Sequence, residues 1–272
     1  MRPMLFKVGG VVLAAGAGSL LYDTLSRMNM KKISESVQYE QIWDEDWDRY
    51  VRVPPELQQD IKEWFIAPDN EIVREREQYD EEHDIGIREV IMVRHGQYAE
   101  NGDLSVLGRA QAEATATRLA KLLKGKQVRC IYHSDMPRAK QTAEAVAKLF
   151  PDVRLVESHL LTEAIPAEPN PPAPNCPPFV QSEAERLEKG FRSFFARPMG
   201  ESPNESVDIL IGHGNCFRFF VCRALQIDPS FWLRMAINNC GISCVQMDAN
   251  GTVSLRGLGD VGHLEPQQVT YN

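Results

Sequence analysis

The sequence predicts an α/β fold built on a mostly parallel sheet with helices on both faces. From Glu89 onward, short apolar runs rich in β-branched residues alternate with helical patterns. Two of those runs, Val90–Val93 and Val207–Ile211, lead directly into a histidine beside glycine, as Arg94-His95-Gly96 and Gly212-His213-Gly214. The first is apolar along its whole length and the second is interrupted only by Asp208, a pattern that suits strands buried on both faces, as in parallel sheets. Ligands of open α/β sheets bind beyond the carboxyl ends of the strands. Both histidines are therefore expected at one edge of the sheet, where the neighbouring arginine and glycine suit an anion.

Charge divides the chain before that domain begins. Residues 1–32 carry five Lys/Arg and one acid, residues 33–90 carry six bases and eighteen acids, and the remainder carries nineteen of each. We read 1–32 as a basic tip with a membrane anchor, 33–88 as an acidic linker and 89–272 as the folded domain. No basic stripe with interleaved aromatics is present, and no nucleic-acid partner is expected.

The uncharged run Val8–Tyr22 holds fifteen residues. As a helix it reaches about 22 Å, short of the roughly 30 Å hydrocarbon core. Met4, Leu5 and Phe6 extend it and Lys7 can snorkel, so residues 4–22 are expected to meet a membrane as an uncleaved anchor. A cleaved secretory signal and an amphipathic transit peptide are the competing readings. Within the linker, Trp43-Asp44-Glu45-Asp46-Trp47-Asp48 sets two tryptophans four apart among carboxylates. Large aromatics on a solvated arm seek a partner surface, and the alternative is that they pack back on their own domain. Glu71–Asp84 reads as a solvated charged helix or a disordered linker.

Ser105 is placed to cap a helix whose inward face holds Leu107, Ala110, Ala114 and Leu119. Val128–His133 is a second strand, and Pro137 suits the first turn of the next helix, with Arg138 at its start beside the strand ends. A short strand over Val153–Val156 leads to Leu160-Leu161-Thr162-Glu163. Pro166–Pro178 follows, with seven prolines in thirteen residues, a stiff loop expected on the rim of the site. A helix over about 182–195 precedes Val207–Ile211. Asn215 is expected to cap the helix after His213, and a hairpin of 243–247 with 252–257 closes the domain.

The six cysteines form no Cys-x-x-Cys pair and read as core thiols. A cysteine phosphatase loop needs arginine six positions after cysteine, but Cys222 stands there after Cys216 and Arg223 falls one later. His133, next to Ser134-Asp135, is a weaker site candidate. His83, His159 and His263 read as structural or surface residues.

Arg94-His95-Gly96, Leu107-Gly108-Arg109-Ala110-Gln111-Ala112, Ser134-Asp135-x-x-Arg138-Ala139-x-Gln141-Thr142-Ala143, Leu160-Leu161-Thr162-Glu163 and Gly212-His213-Gly214 together resemble the histidine phosphatase, or phosphoglycerate mutase-like, superfamily. The resemblance implies a three-layer phosphoglycerate mutase-like sandwich. Gln97-Tyr98, the stretch from Glu163 to Pro172, Trp232-Leu233-Arg234, Asn238-Asn239 and Leu258-Gly259-Asp260 are similar to the mitochondrial serine/threonine phosphatases of that family. This narrower likeness implies phosphoprotein substrates, mitochondrial membrane placement and multimerisation through Trp43, Asp44, Trp47 and Asp48.

The chemistry agrees with the resemblance. A neutral imidazole attacks phosphorus near neutral pH, and phosphohistidine readily gives its phosphoryl group to water. His95 is the expected nucleophile. Arg94 and Arg138 are expected to grip phosphoryl oxygens with rigid forks, joined by His213 if protonated. No metal or cofactor is required. Glu163 is the expected general acid, its pKa raised by burial near the phosphate. The duller alternatives are surface ion pairing for the arginines and a loop carboxylate for Glu163. At the level of function the alternatives are a small-molecule phosphatase or mutase of the same fold, and a multimeric scaffold. Family members that are mutases carry a longer segment with Arg and Tyr after the acid, whereas here Glu163 runs into the proline-rich loop.

Overall fold

The strand Ile85–Arg94 (β1) lies in the middle of the sheet because Val90, Ile91, Met92 and Val93 are buried on both faces. The computed structural model describes residues 7–8, 11–12, 44, 47–48 and 66–271. After α1 (Asn70–His83) and β1 come α2 (Val106–Leu122), β2 (Gln127–His133), α3 (Pro137–Ala147), β3 (Arg154–Glu157), α4 (Gln181–Phe194), β4 (Asn204–Gly212), α5 (Gly214–Ala224), β5 (Ile242–Asp248) and β6 (Val253–Asp260). The sheet order is β3-β2-β4-β1-β5-β6. The pairs β3/β2, β2/β4 and β4/β1 are parallel, and β1/β5 and β5/β6 are antiparallel. The parallel strands and their crossover helices are those the alternating pattern predicts.

Period-two burial separates the layers. Ile91, Val93, Ile131, Val207, Ile209 and Ile211 face α2 and α3, where Ala116, Leu119, Ala143 and Val146 close the core. The opposite face meets aromatic residues of α4 and α5, and the Tyr132 and Phe194 rings lie 5.1 Å apart. Phe195, Phe217 and Phe220 are fully buried in this layer. Each such side chain contributes about 1.5–3 kcal/mol by leaving water.

The domain begins before residue 89. Helix α1, starting at an Asp69 cap, packs on α4 and β1 and buries Val73, Arg76 and Asp80. Asp80 pairs with the fully buried Arg88 of β1, while Arg129 of β2 pairs with Asp208 of β4 at 2.6 Å. The stretch that composition assigned to a solvated helix or linker thus carries a charged inner face.

The chain divides into Met1–Trp43 and Asp44–Asn272. In the first unit, Lys7–Val8 pairs antiparallel with Val11–Val12, and the rest of the anchor expected over 4–22 lies outside the described residues. Among the described residues no helix is long and apolar enough to cross a membrane. Of the tryptophan motif, Trp43 lies outside the described residues. Trp47 is buried beside Phe191, with ring centres 6.3 Å apart, and its Nε1–H donates to the Gly251 carbonyl at 3.0 Å. Asp48 accepts from the Arg197 backbone N–H at 2.9 Å and from its Nε at 2.7 Å. The Gln226 amide pairs with the Asp44 backbone in both directions, at 2.7 and 2.9 Å. Trp47 therefore packs on the domain, as the alternative reading expected.

Candidate active site

The register of β1 against β4 assembles the site. Arg94 stands opposite Gly212, so His95 and His213 leave neighbouring strands side by side, with ring centres 5.0 Å apart. The His95 backbone N–H donates to Gly212 at 2.9 Å, and on the other flank Ser134 donates to Ile211 at 2.9 Å. Gly96 and Gly108 bring the loop after His95 against the start of α2. A Cβ on Gly108 would lie 1.9 Å from the Gln97 carbonyl oxygen, and one on Gly96 would lie 2.6 Å from that of Gly108.

Several side chains hold this loop in place. Thr142 accepts from the Gly96 N–H at 3.1 Å and Gln111 from the Gln97 N–H at 2.8 Å. Asn239 donates to the His95 carbonyl at 3.1 Å. Ser105 caps α2, accepting from the Gly108 N–H at 3.0 Å, and Pro137 opens α3, as expected for both.

The hydrogen bonds assign the imidazole tautomers. His95 Nδ1 lies 2.8 Å from the Gly96 carbonyl oxygen, which can only accept, so Nδ1 carries the proton and Nε2 is a bare lone pair. Arg138 Nε donates to that lone pair at 3.0 Å. Burial, against a partly offsetting bond to Gly96, depresses the His95 pKa to about 3, with Arg138 and Arg94 adding to the shift. His213 is likewise held well below the usual histidine value, by burial first and then by His95, Arg138 and Arg94. The protonated His213 considered from sequence is therefore neutral in the free site, and an incoming anion favours its protonation.

Arg94 Nη1 donates to the carbonyls of Ile237 at 2.8 Å and Tyr271 at 2.6 Å. Its Nε is buried with no partner among the described residues, which leaves donor capacity for an anion. Glu163 sits at the start of α5 and accepts from the Asn215 N–H at 3.5 Å and the Cys216 N–H at 3.3 Å. Burial raises its pKa, and these amides and Arg94 offset only part of the rise. The residue at the cap position of α5 is His213, while the Asn215 side chain accepts from Arg218 at 2.9 Å. The cap expected from Asn215 is supplanted by the Glu163 carboxyl, which takes up the helix's free amides.

The structure brings together all five site residues read from the sequence: Arg94, His95, Arg138, Glu163 and His213. It adds others. The Tyr98 ring stands 5.4 Å from that of His95 and 4.5 Å from the Arg138 guanidinium carbon. Tyr271 packs 5.6 Å from Arg94, and its hydroxyl accepts from Arg218. Gln97-Tyr98 carried a signal through the resemblance, but Tyr271 lay in a tail with no motif. The proline-rich loop joins the turn Pro229–Arg234 through Trp232 Nε1–H to the Ala167 carbonyl at 3.0 Å and Arg234 Nε to that of Asn170 at 3.1 Å. His133 is buried and bonded to the Ser134 carbonyl at 2.8 Å, a satisfied structural histidine. Among the described residues, no group of three His, Cys, Asp or Glu side chains is placed to hold a metal.

Fold and site together define the class: an α/β protein with two histidines at the carboxyl ends of central strands, flanked by Arg94 and Arg138. The chain belongs to the histidine phosphatase superfamily (branch 1), whose sequence profile matches residues 90–166 and 166–258. It is 37% identical over 238 residues to the mitochondrial serine/threonine-protein phosphatase PGAM5 of Mus musculus, covering 84% of this chain and 80% of that one. The Xenopus tropicalis protein of the same description is 41% identical over 191 residues, covering 67% of this chain and 68% of the other. Among solved structures, a phosphoglycerate mutase from Plasmodium falciparum superposes with a TM-score of 0.51 at 36% identity, covering 69% of this chain and 99% of that one.

Proposed function

We propose that the chain is a mitochondrial protein phosphatase that removes phosphate from phosphoserine and phosphothreonine, with phosphohistidine as a further substrate. The observation that carries this reading is the bare Nε2 of His95 among Arg94, Arg138 and neutral His213. In the first step Nε2 attacks phosphorus, and the bond to the serine or threonine oxygen breaks. The guanidinium groups and a His213 protonated beside the anion stabilise charge on the transferring oxygens. Glu163 gives its proton to the leaving oxygen. In the second step the Glu163 carboxylate takes a proton from water, which attacks the phosphohistidine and releases phosphate and free His95. The choice of protein substrates is supported by the relatives described as serine/threonine-protein phosphatases, whose likeness extends over most of the chain.

The same reading includes a membrane anchor over residues 4–22, supported by the apolar run, and self-association through Trp43, Asp44, Trp47 and Asp48. A seat in which Gln226 receives Asp44, Phe191 and Gly251 receive Trp47, and Arg197 receives Asp48 suits the same motif from a neighbouring copy. A small-molecule mutase is the second reading, favoured by the likeness to the Plasmodium protein.

Full-length protein in detergent, with chelator present, should hydrolyse a phosphothreonine peptide, and His95→Ala should abolish the activity. Acid-labile phosphate should appear on the wild type during turnover. Faster turnover of 3-phosphoglycerate than of the peptide would replace the protein substrate with the small acid. An unaltered rate in His95→Ala would remove the mechanism altogether.

A further inference from the structure

Behind the site, one carboxylate touches the supports of two reacting groups. Asp135 lies in the short turn between β2 and α3, three residues before Arg138. Its Oδ1 accepts from the Ser134 hydroxyl at 3.2 Å and from the Thr162 hydroxyl at 2.5 Å, and its Oδ2 lies 2.9 Å from His159 Nδ1. The Ser134 oxygen in turn accepts from the Met136 N–H at 3.3 Å and stands 2.9 Å from His213 Nε2. With the serine proton committed to Asp135, that oxygen can only accept from the imidazole. The bond therefore selects the tautomer of His213 protonated at Nε2 and leaves Nδ1 to receive Arg138 Nη2, 3.4 Å away.

The second branch reaches the acid. Thr162 immediately precedes Glu163, and the carbonyls of His159 and Thr162 each accept from Arg186 Nη1 at 3.0 Å. Asp135 and Arg186 thus hold the two sides of the turn that delivers Glu163. Burial acts to raise the Asp135 pKa, but bonds from Thr162 and His159 outweigh it and keep the carboxylate charged.

We infer that Asp135 is a positioning residue for the reaction proposed above, setting the proton of His213 through Ser134 and the placement of Glu163 through Thr162. A carboxylate that accepts without donating fits both tasks. An asparagine keeps its shape but can offer Nδ2–H to the serine, which then turns its own proton toward His213. Charge is lost at the same time, so the imidazolium that forms beside a bound anion is less well supported.

The test combines histidine tautomer assignment by 15N NMR with steady-state kinetics, on full-length protein labelled at its six histidines. Wild type should show His213 protonated at Nε2. Asp135→Asn should populate the Nδ1–H form and lower kcat roughly ten- to a hundredfold, a loss of the size seen when the outer partner of a metal-bound histidine is removed. KM should rise by less than kcat falls, since the imidazolium forms beside the bound anion but the interaction strengthens in the transition state. Thr162→Val should lower kcat without altering the His213 tautomer, and Thr162→Ser should restore it. Asp135→Asn unchanged in either tautomer or kcat overturns the inference, as does Thr162→Val with wild-type kcat. The NMR reading does not depend on turnover, so an inactive wild type would refute the phosphatase reading while the tautomer still decides the role of Asp135. If Asp135→Asn fails to fold, Ser134→Ala reads the same link.

Discussion

Arg138 Nε donates to His95 Nε2 at 3.0 Å, so the guanidinium expected on phosphate engages the lone pair of the proposed nucleophile. A phosphoryl group entering the site must take over that donor and free the lone pair in the same movement. Arg138→Ala should therefore lower kcat/KM by about a hundred- to a thousandfold, the range for losing one preorganised donor. Arg138→Lys should recover only part of this, because an ammonium cannot fork across two oxygens. Recovery to wild-type rate would show that charge alone suffices.

The general acid sets the alkaline limb of the pH profile. Burial raises the Glu163 pKa, so its proton persists to higher pH than on an ordinary carboxyl and is then lost. The kcat for phosphothreonine should fall as pH rises through that pKa. Glu163→Gln should flatten this limb and lower kcat by about a hundred- to ten-thousandfold. The loss should shrink for an aryl phosphate, whose leaving oxygen needs little protonation. An alkaline limb retained in Glu163→Gln would assign it to another group.

Buried neutral histidines link stability to pH. The folded His95 pKa is near 3 and that of His213 is also depressed, whereas unfolded histidine titrates near 6.5. Below that value the unfolded chain binds protons the folded chain refuses. The stability they contribute is complete above about pH 6.5 and declines as pH falls, by about 1.4 kcal/mol per unit for each histidine. Urea unfolding of His95→Gln at pH 7 and pH 5 should show a smaller decline than wild type, and an equal decline would contradict the shift.

The ion pair beneath α1 bears on folding. Asp80 and Arg88 are both buried, so Asp80→Ala strands a guanidinium in the interior. Removing one partner of such a pair costs about 3–5 kcal/mol, whereas replacing both with apolar residues is often neutral. Thermal denaturation of Asp80→Ala should show a large loss, with much of it recovered in Asp80→Leu/Arg88→Met. A small loss in the single variant would mean that water solvates Arg88.

The tryptophan arm gives a hydrodynamic test. Trp47→Ala removes a buried ring and its bond to Gly251, and Arg197→Ala removes the Asp48 contact. If the motif joins copies, both variants should sediment as smaller species than wild type at equal concentration. Unchanged sedimentation with a lowered melting temperature would confine the motif to packing on its own domain.

How much of this was legible in the sequence depends on which physical signal each element carries. Strand β1 is legible in an unbroken apolar run and β4 in one interrupted only by Asp208, and the five catalytic candidates in the turns that follow or face them. Helix α1 reads as a solvated charged helix or a disordered linker because its inner face is Arg76 and Asp80 instead of leucine, and ion pairing across elements leaves no hydrophobic period. The part played by His159 was missed for a related reason. It meets Asp135 only through tertiary structure, across 24 positions of sequence. Asn215 failed as a cap because a carboxyl from another loop already occupied the helix start.

The opposition of Arg94 and Gly212 on adjacent central strands has a wider consequence. A slip of one residue there would turn whole strands inside out, so no near-native arrangement keeps the fold but separates the two histidines. The proposed nucleophile is as durable as the sheet. The proline-rich loop after Glu163 is a different matter, since loops accept insertions and exchanges with little penalty. A protein divided this way can acquire new substrates by rewriting its rim while the phosphate-handling centre is inherited unaltered.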